Sequence, residues 1–216
     1  MNVFIENFKT SVGKKLLMAF TGLGFIGFIA VHLLGNLTLY GGQEAFDAYV
    51  AKLHEYEALI VVAEIVLFTF AVIHVVTGLF LFLANRSARS VSYAVKKSGG
   101  GRNAGSATMP YTGLVILLFV IVHLNNFSFA DTSERTMYDV VAATFSSWIY
   151  VIIYIAAIAA VAVHVRHGFW SLFQSFGLHH EKYMPAIRMI SILLAFVVGV
   201  GFGLIPIYMN IILNGA

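Results

Sequence analysis

The chain has 216 residues, 60% of them hydrophobic and only 11% charged, with a mean hydropathy of +0.88. Soluble domains carry about 25% charged residues, so the composition excludes a water-soluble globular protein and indicates an integral membrane protein. The absence of cysteine excludes disulfides, thioether-attached haem and cysteine-ligated iron–sulfur clusters.

An amphipathic start at residues 3–11 suits the membrane interface. Uncharged runs then predict five spans, at 16–40, 58–84 (interrupted by Glu64), 110–130, 146–164 and 189–213. Each approaches or exceeds the roughly 20 residues that cross the hydrocarbon as a helix. The first run is too long for a signal-peptide core and lacks a small-residue cleavage motif, so it is expected to be retained. Gly41-Gly42 ends it, and the loop at 43–57 has room for a short surface helix. A glycine run at 98–101 follows the second span, and Pro110 suits the first turn of the third. The fourth helix should continue past His164 through Trp170 and end at Gly177 as a left-handed cap. In the fifth, Gly199 and Gly203 form a small-xxx-small spacing that favours close helix approach. No internal repeat stands out beyond a loose similarity among the histidine-bearing helices. The expected fold is an all-α membrane bundle of five transmembrane helices, with 1–216 as one domain.

The net charge of +3 implies no nucleic acid, because its location accounts for it. Lys9, Lys14, Lys15, Arg86, Arg89, Lys96, Lys97, Arg102, Arg166, Lys182 and Arg188 fall on one side of the expected membrane. The other side has Lys52 and Arg135 against Glu44, Asp47, Glu55, Glu57, Asp131, Glu134 and Asp139. The positive-inside rule then places the N-terminus in the cytoplasm and the C-terminus outside.

His32, His74, His123 and His164 sit one apiece in four of the spans. Ionisable side chains inside a bilayer are costly and mark functional sites. His32 and His123 each lie eight residues before the outer end of an outward-running helix, about 12 Å deep. His74 and His164 lie sixteen and eighteen residues into inward-running helices, roughly 24 to 27 Å below the same surface. The depths select two pairs, separated by about 12 Å. Neutral imidazoles on facing helices of a bundle are the usual axial ligands of low-spin haem. Two haem b groups are therefore expected, an outer one on His32 and His123 and an inner one on His74 and His164. Small residues one or two turns away leave room for a ring edge: Gly35 near His32, Ala71 and Gly78 near His74, and Ala157, Ala160 and Gly168 near His164. Phe119 and Phe127 flank His123. The competing reading makes these histidines interhelical hydrogen-bonding groups.

His167 is an alternative to His164 as ligand, and with Arg86 and Arg166 a candidate for haem propionates. Lys15 and Arg89 lie at the same boundary, where basic residues also serve as ordinary membrane anchors. His54, His179 and His180 read as loop residues, and the methionines as packing. Glu64 is the one carboxylate within a span, about 9 Å below the outer end. It and Glu57, with His54 as a competitor, are candidates for proton exchange with a quinone. Solvation in outer water is the alternative for Glu64.

The stretch from His164 to Gly177, HVRHGFWSLFQSFG, resembles the fourth-helix signature of the cytochrome b subunit of succinate:quinone oxidoreductases, in its single-chain, five-helix, dihaem form. Ser11-Val-Gly-Lys-Lys, Ala19-Phe-Thr-Gly22 and His32-Leu-Leu-Gly-Asn-Leu37 are similar to that family's first helix. His74 with Gly78, and Asn85-Arg-Ser-Ala-Arg89, are similar to its second helix and inner loop. The resemblance covers nearly the whole chain. It implies a subunit that anchors a flavoprotein and an iron–sulfur protein at the cytoplasmic face of a bacterial or archaeal cytoplasmic membrane. It also implies electron transfer to or from quinone, menaquinone above ubiquinone, with the same four histidines as axial ligands. Some dihaem fumarate reductases carry a glutamate two residues before the fourth ligand; here that position is Ala162, which disfavours a proton path by that residue. Rival readings are the dihaem anchor of another quinone-linked dehydrogenase and a membrane transporter with a histidine proton relay.

Overall fold

The computed structural model describes residues 10–87 and 104–214, all of them helical or in connecting turns, with no strand among them. The helices are α1 (Ser11–Asn36), α2 (Gly42–His54), α3 (Glu57–Ser87), α4 (Ala104–His123), α5 (Met137–Phe145), α6 (Trp148–Ser175) and α7 (Met184–Asn214). Five stretches are long and apolar enough to cross a membrane, built on α1, α3, α4, α6 and α7. Residues 3–9 of the amphipathic start, the basic residues Lys9, Arg89, Lys96, Lys97 and Arg102, and the glycine run at 98–101 lie outside the described residues.

Local chemistry sets the helix ends. The Thr10 hydroxyl accepts from the Gly13 N–H at 3.0 Å and caps α1. A 3-10 turn, Leu37–Gly41, follows, and Gly42 at φ +81° redirects the chain into α2. α2 is the short helix expected in the first outer loop. α3 has Glu57 in its first turn and Arg86 in its last, both matched to the helix dipole. α4 starts six residues ahead of Pro110, so the proline lies inside the helix and not in its first turn. A π-helical turn, Leu124–Ser128, extends α4. Asp131 then accepts from the Ser133 N–H at 3.0 Å, a bond that holds its carboxyl below the usual carboxylate range. α5, which no hydropathy argument picked out, is fixed by a reciprocal cap between Thr136 and Asp139. α6 runs well past His164 to Ser175 and ends at Gly177, φ +76°, where the Leu178 N–H reaches back to Phe173 O at 2.8 Å.

α1 packs on α3 and α6, and α6 packs on α4, while α3 and α4 meet only briefly. The four histidine helices thus form a ring in the order α1–α3–α4–α6, with α1 opposite α4 and α3 opposite α6. α7 lies along α6 and reaches α1 and α5. A Cβ on Gly199 would sit 3.3 Å from Ala162 Cβ, so this glycine does mark close approach. Gly203 does not, since a Cβ there would meet nothing within 4 Å; Gly201, against Leu33, takes that part.

Burial is uneven. A compact cluster of Leu39, Phe46, Val141, Phe145, Val151, Tyr154, Ile158, Ile205 and Met209 joins α2 and α5 to the ends of α6 and α7. This is the cap end of the bundle. The opposite, basic end carries Lys14, Lys15, Arg86, Arg166, Lys182 and Arg188. Along the spans the outward faces are apolar: Phe68, Ile149 and Phe196 are 72%, 71% and 65% exposed. Apolar surface on that scale has no place in water, and lipid is the solvent that suits it.

Candidate functional site

The histidines meet across the two diagonals of the ring. His32 on α1 and His123 on α4 have ring centres 5.8 Å apart, towards the cap end. His74 on α3 and His164 on α6 have ring centres 6.3 Å apart, towards the basic end. All four rings are partly buried. No hydrogen bond links the two rings of either pair, although His74 and His164 each bond a threonine on a neighbouring helix, as the hydrogen-bonding reading expects.

An ion held between two imidazoles by metal–nitrogen bonds of about 2 Å keeps the ring centres about 6 Å apart, given ~1 Å from each nitrogen to its ring centre. Both pairs fit that span. Among the described residues no three His, Asp or Glu side chains gather into a metal-holding group. Each pair offers two protein ligands on opposite sides, a donor set suited to a metal whose other ligands come from a macrocycle. A ring also needs volume. A Cβ on Gly168, one turn beyond His164, or on Gly27 would meet nothing within 4 Å. Two other small residues are taken up by the protein itself: a Cβ on Gly35 would strike the Tyr49 ring of α2, and Ala157 is buried.

The two pairs are held differently. The Thr21 hydroxyl lies 2.9 Å from His74 Nδ1, and the Thr112 hydroxyl 3.1 Å from His164 Nδ1. At the other pair, Asn36 Nδ2 lies 3.4–3.5 Å from both ring nitrogens of His32 while donating to His32 O at 2.8 Å. His123 Nδ1 is buried and has no partner. Aromatic rings enclose this pair: Phe28 stacks on His32 at 5.2 Å, and Phe119, Phe127 and Tyr154 surround His123 at 5.2–6.1 Å.

Thr21 and Thr112 were not singled out from sequence. Superposing 21–33 on 112–124 exposes them: Thr21/Thr112, Gly22/Gly113, Leu23/Leu114, Phe28/Phe119, Val31/Val122, His32/His123 and Leu33/Leu124 are identical pairs. The likeness among the histidine helices is therefore an in-register correspondence. In both helices the threonine lies eleven residues before the histidine, about 16 Å along the axis. This separates the pairs by somewhat more than the sequence depths indicate.

The remaining candidates sort by position. His167 does not join His74; its ring packs edge-on against Trp170 at 5.0 Å, and its buried Nδ1 has no partner. The Arg188 guanidinium lies over the Trp170 ring, 5.2 Å from its centre. Arg86 and Arg166 are exposed at the basic end, and His54, His179 and His180 are exposed as well. Glu57, Glu64 and His54 line one cleft of about 290 Å³ between α2 and the start of α3, with Val50, Leu53, Ile60 and Val61. Comparison of the chain with protein-family models, curated proteins and solved structures finds no match.

Proposed function

We propose that this chain is the dihaem cytochrome b anchor subunit of a succinate:quinone oxidoreductase, a succinate dehydrogenase or fumarate reductase. The observation that carries the reading is the pairing of four intramembrane histidines across the bundle's diagonals at 5.8 and 6.3 Å. Haem groups bound there would supply one-electron relays through the membrane. His32 and His123 would hold one from α1 and α4, and His74 and His164 the other from α3 and α6. The unpartnered Nδ1 of His167, and the Arg86 and Arg166 guanidiniums, are the groups at the basic end available to propionates.

The cleft between α2 and α3 has the chemistry a quinone headgroup needs. Its walls are aliphatic, and its polar groups are Glu57, Glu64 and His54. A carboxylate within hydrogen-bond reach of a quinone oxygen can accept or deliver the protons that accompany its two electrons. Menaquinone is the expected quinone. Ala162, where some dihaem fumarate reductases carry a glutamate, lies against Gly199 of α7 and has no group to carry a proton, which favours succinate oxidation or an alternative proton route. The basic end is suited to docking a flavoprotein and an iron–sulfur subunit on the cytoplasmic face, where dicarboxylate chemistry would take place.

The test is the visible spectrum of the purified protein with quantitation of extracted haem. Two non-covalent, six-coordinate, low-spin b haems per chain are expected. A colourless protein would overturn the reading and favour a proton-relay transporter. Co-purification with a flavin-bearing partner other than a dicarboxylate oxidoreductase would favour a different quinone-linked dehydrogenase.

A further inference from the structure

We propose that Thr21 and Thr112 are matched positioning residues that fix the tautomer and orientation of His74 and His164, and thereby tune the redox potential of one of the two haems. The inference rests on the dihaem reading and deepens it.

Each threonine hydroxyl has one proton, and its backbone surroundings claim it. Thr21 Oγ1 lies 2.8 Å from Leu17 O and 3.2 Å from Met18 O; Thr112 Oγ1 lies 3.1 Å from both Thr108 O and Met109 O. A hydroxyl that donates to its own preceding turn has only lone pairs left for a neighbour. Towards the imidazole, at 2.9 and 3.1 Å, it must accept. Nδ1 of His74 and of His164 therefore carries the proton, which leaves each Nε2 with its lone pair. An imidazole that ligates through one nitrogen is commonly oriented by a bond from the other, and that bond raises the ligand's basicity.

The arrangement is built twice. Each threonine is followed by a glycine, and a Cβ on Gly22 or Gly113 would lie 3.6 Å from Cε1 of the same histidine its neighbour holds. With no side chain in that place, the ring edge rests directly on the partner helix. The His32–His123 pair has no counterpart: Asn36 favours neither nitrogen of His32, and His123 Nδ1 has no partner. The hydroxyl bonds thus distinguish one site from the other.

Thr21→Val and Thr112→Val keep the shape and remove the acceptor; Thr21→Ser and Thr112→Ser restore it. Redox titration and low-temperature EPR of the full-length protein resolve the two haems separately. In the valine proteins one haem, the one lost on replacing His74 or His164, should shift to a higher midpoint with altered g-values. The other should be unchanged, and serine should return the wild-type values. Loss of that one haem in the valine proteins but not the serine proteins would support the same role. Unchanged midpoints and g-values in both valine proteins, or equal shifts with serine, would overturn the inference while leaving the dihaem reading intact. A wild-type protein without haem would overturn both.

Discussion

Four histidine side chains carry the functional reading, and their pairing makes definite demands. A bis-ligated haem loses an axial bond whichever partner is removed. His74→Ala and His164→Ala should therefore abolish the same spectral component, and His32→Ala and His123→Ala the other. A shared phenotype between His32 and His74 would contradict the diagonal pairing. Glu64 is the sharper residue-scale test. It shares a cleft with Glu57 and His54, so Glu64→Gln should cut succinate-to-quinone activity at least tenfold. Both haems and dye reduction by the flavoprotein should be retained. Near-normal quinone activity in both Glu64→Gln and Glu57→Gln would move proton exchange elsewhere. The histidines could be singled out from sequence because an ionisable group in a run of Val, Leu and Phe is conspicuous. Thr21 and Thr112 are visible in sequence only through the in-register match of 21–33 with 112–124, because a threonine that bonds its own helix turn looks unremarkable by itself; the three-dimensional structure then brings His74 and His164 to their hydroxyls.

At the scale of the elements, membrane spans and caps obey different rules. The spans were legible because a bilayer demands long apolar helices, and every one expected is present. Their ends were less so, since apolar runs stop where charge begins while helices continue through it. α4 begins six residues before Pro110 and α7 begins at Met184, ahead of its uncharged run; the end of α6 at Gly177 was legible because a glycine cap marks it. α5 was missed altogether. Its nine residues are too short for a hydropathy signal, and it owes its place to a cap box and to packing against α2 and α7. The buried Asn210 of α7 secures that end: its Nδ2 donates to Phe145 O at 2.7 Å and Ser146 O at 3.2 Å, across the break between α5 and α6. Asn210→Leu removes the amide donor from the buried Phe145 O, while Ser146 O keeps Asn214 Nδ2 at 3.1 Å, at a cost of about 1–3 kcal/mol. It should show as a lower Tm of the purified protein, and an unchanged Tm would mean water replaces the amide.

For the molecule as a whole, the two ends differ in kind. One collects lysines and arginines; the other is capped by α2 and α5 and carries acids, including the Glu57–Glu64 cleft. If partner subunits deliver electrons at the basic end and quinone exchanges protons at the cap end, charge moves across the bilayer, and the chain's orientation decides the sign of that movement. The charge bias predicts the basic end in the cytoplasm. The lack of cysteine makes this testable with single introduced thiols. Ser133→Cys, exposed in the turn before α5, should react with a membrane-impermeant maleimide in intact cells. Ser87→Cys, exposed at the end of α3, should react only after the membrane is opened. The reverse pattern would turn the chain over, place the carboxylate cleft on the cytoplasmic side, and remove the basis for docking the partner subunits at the basic end.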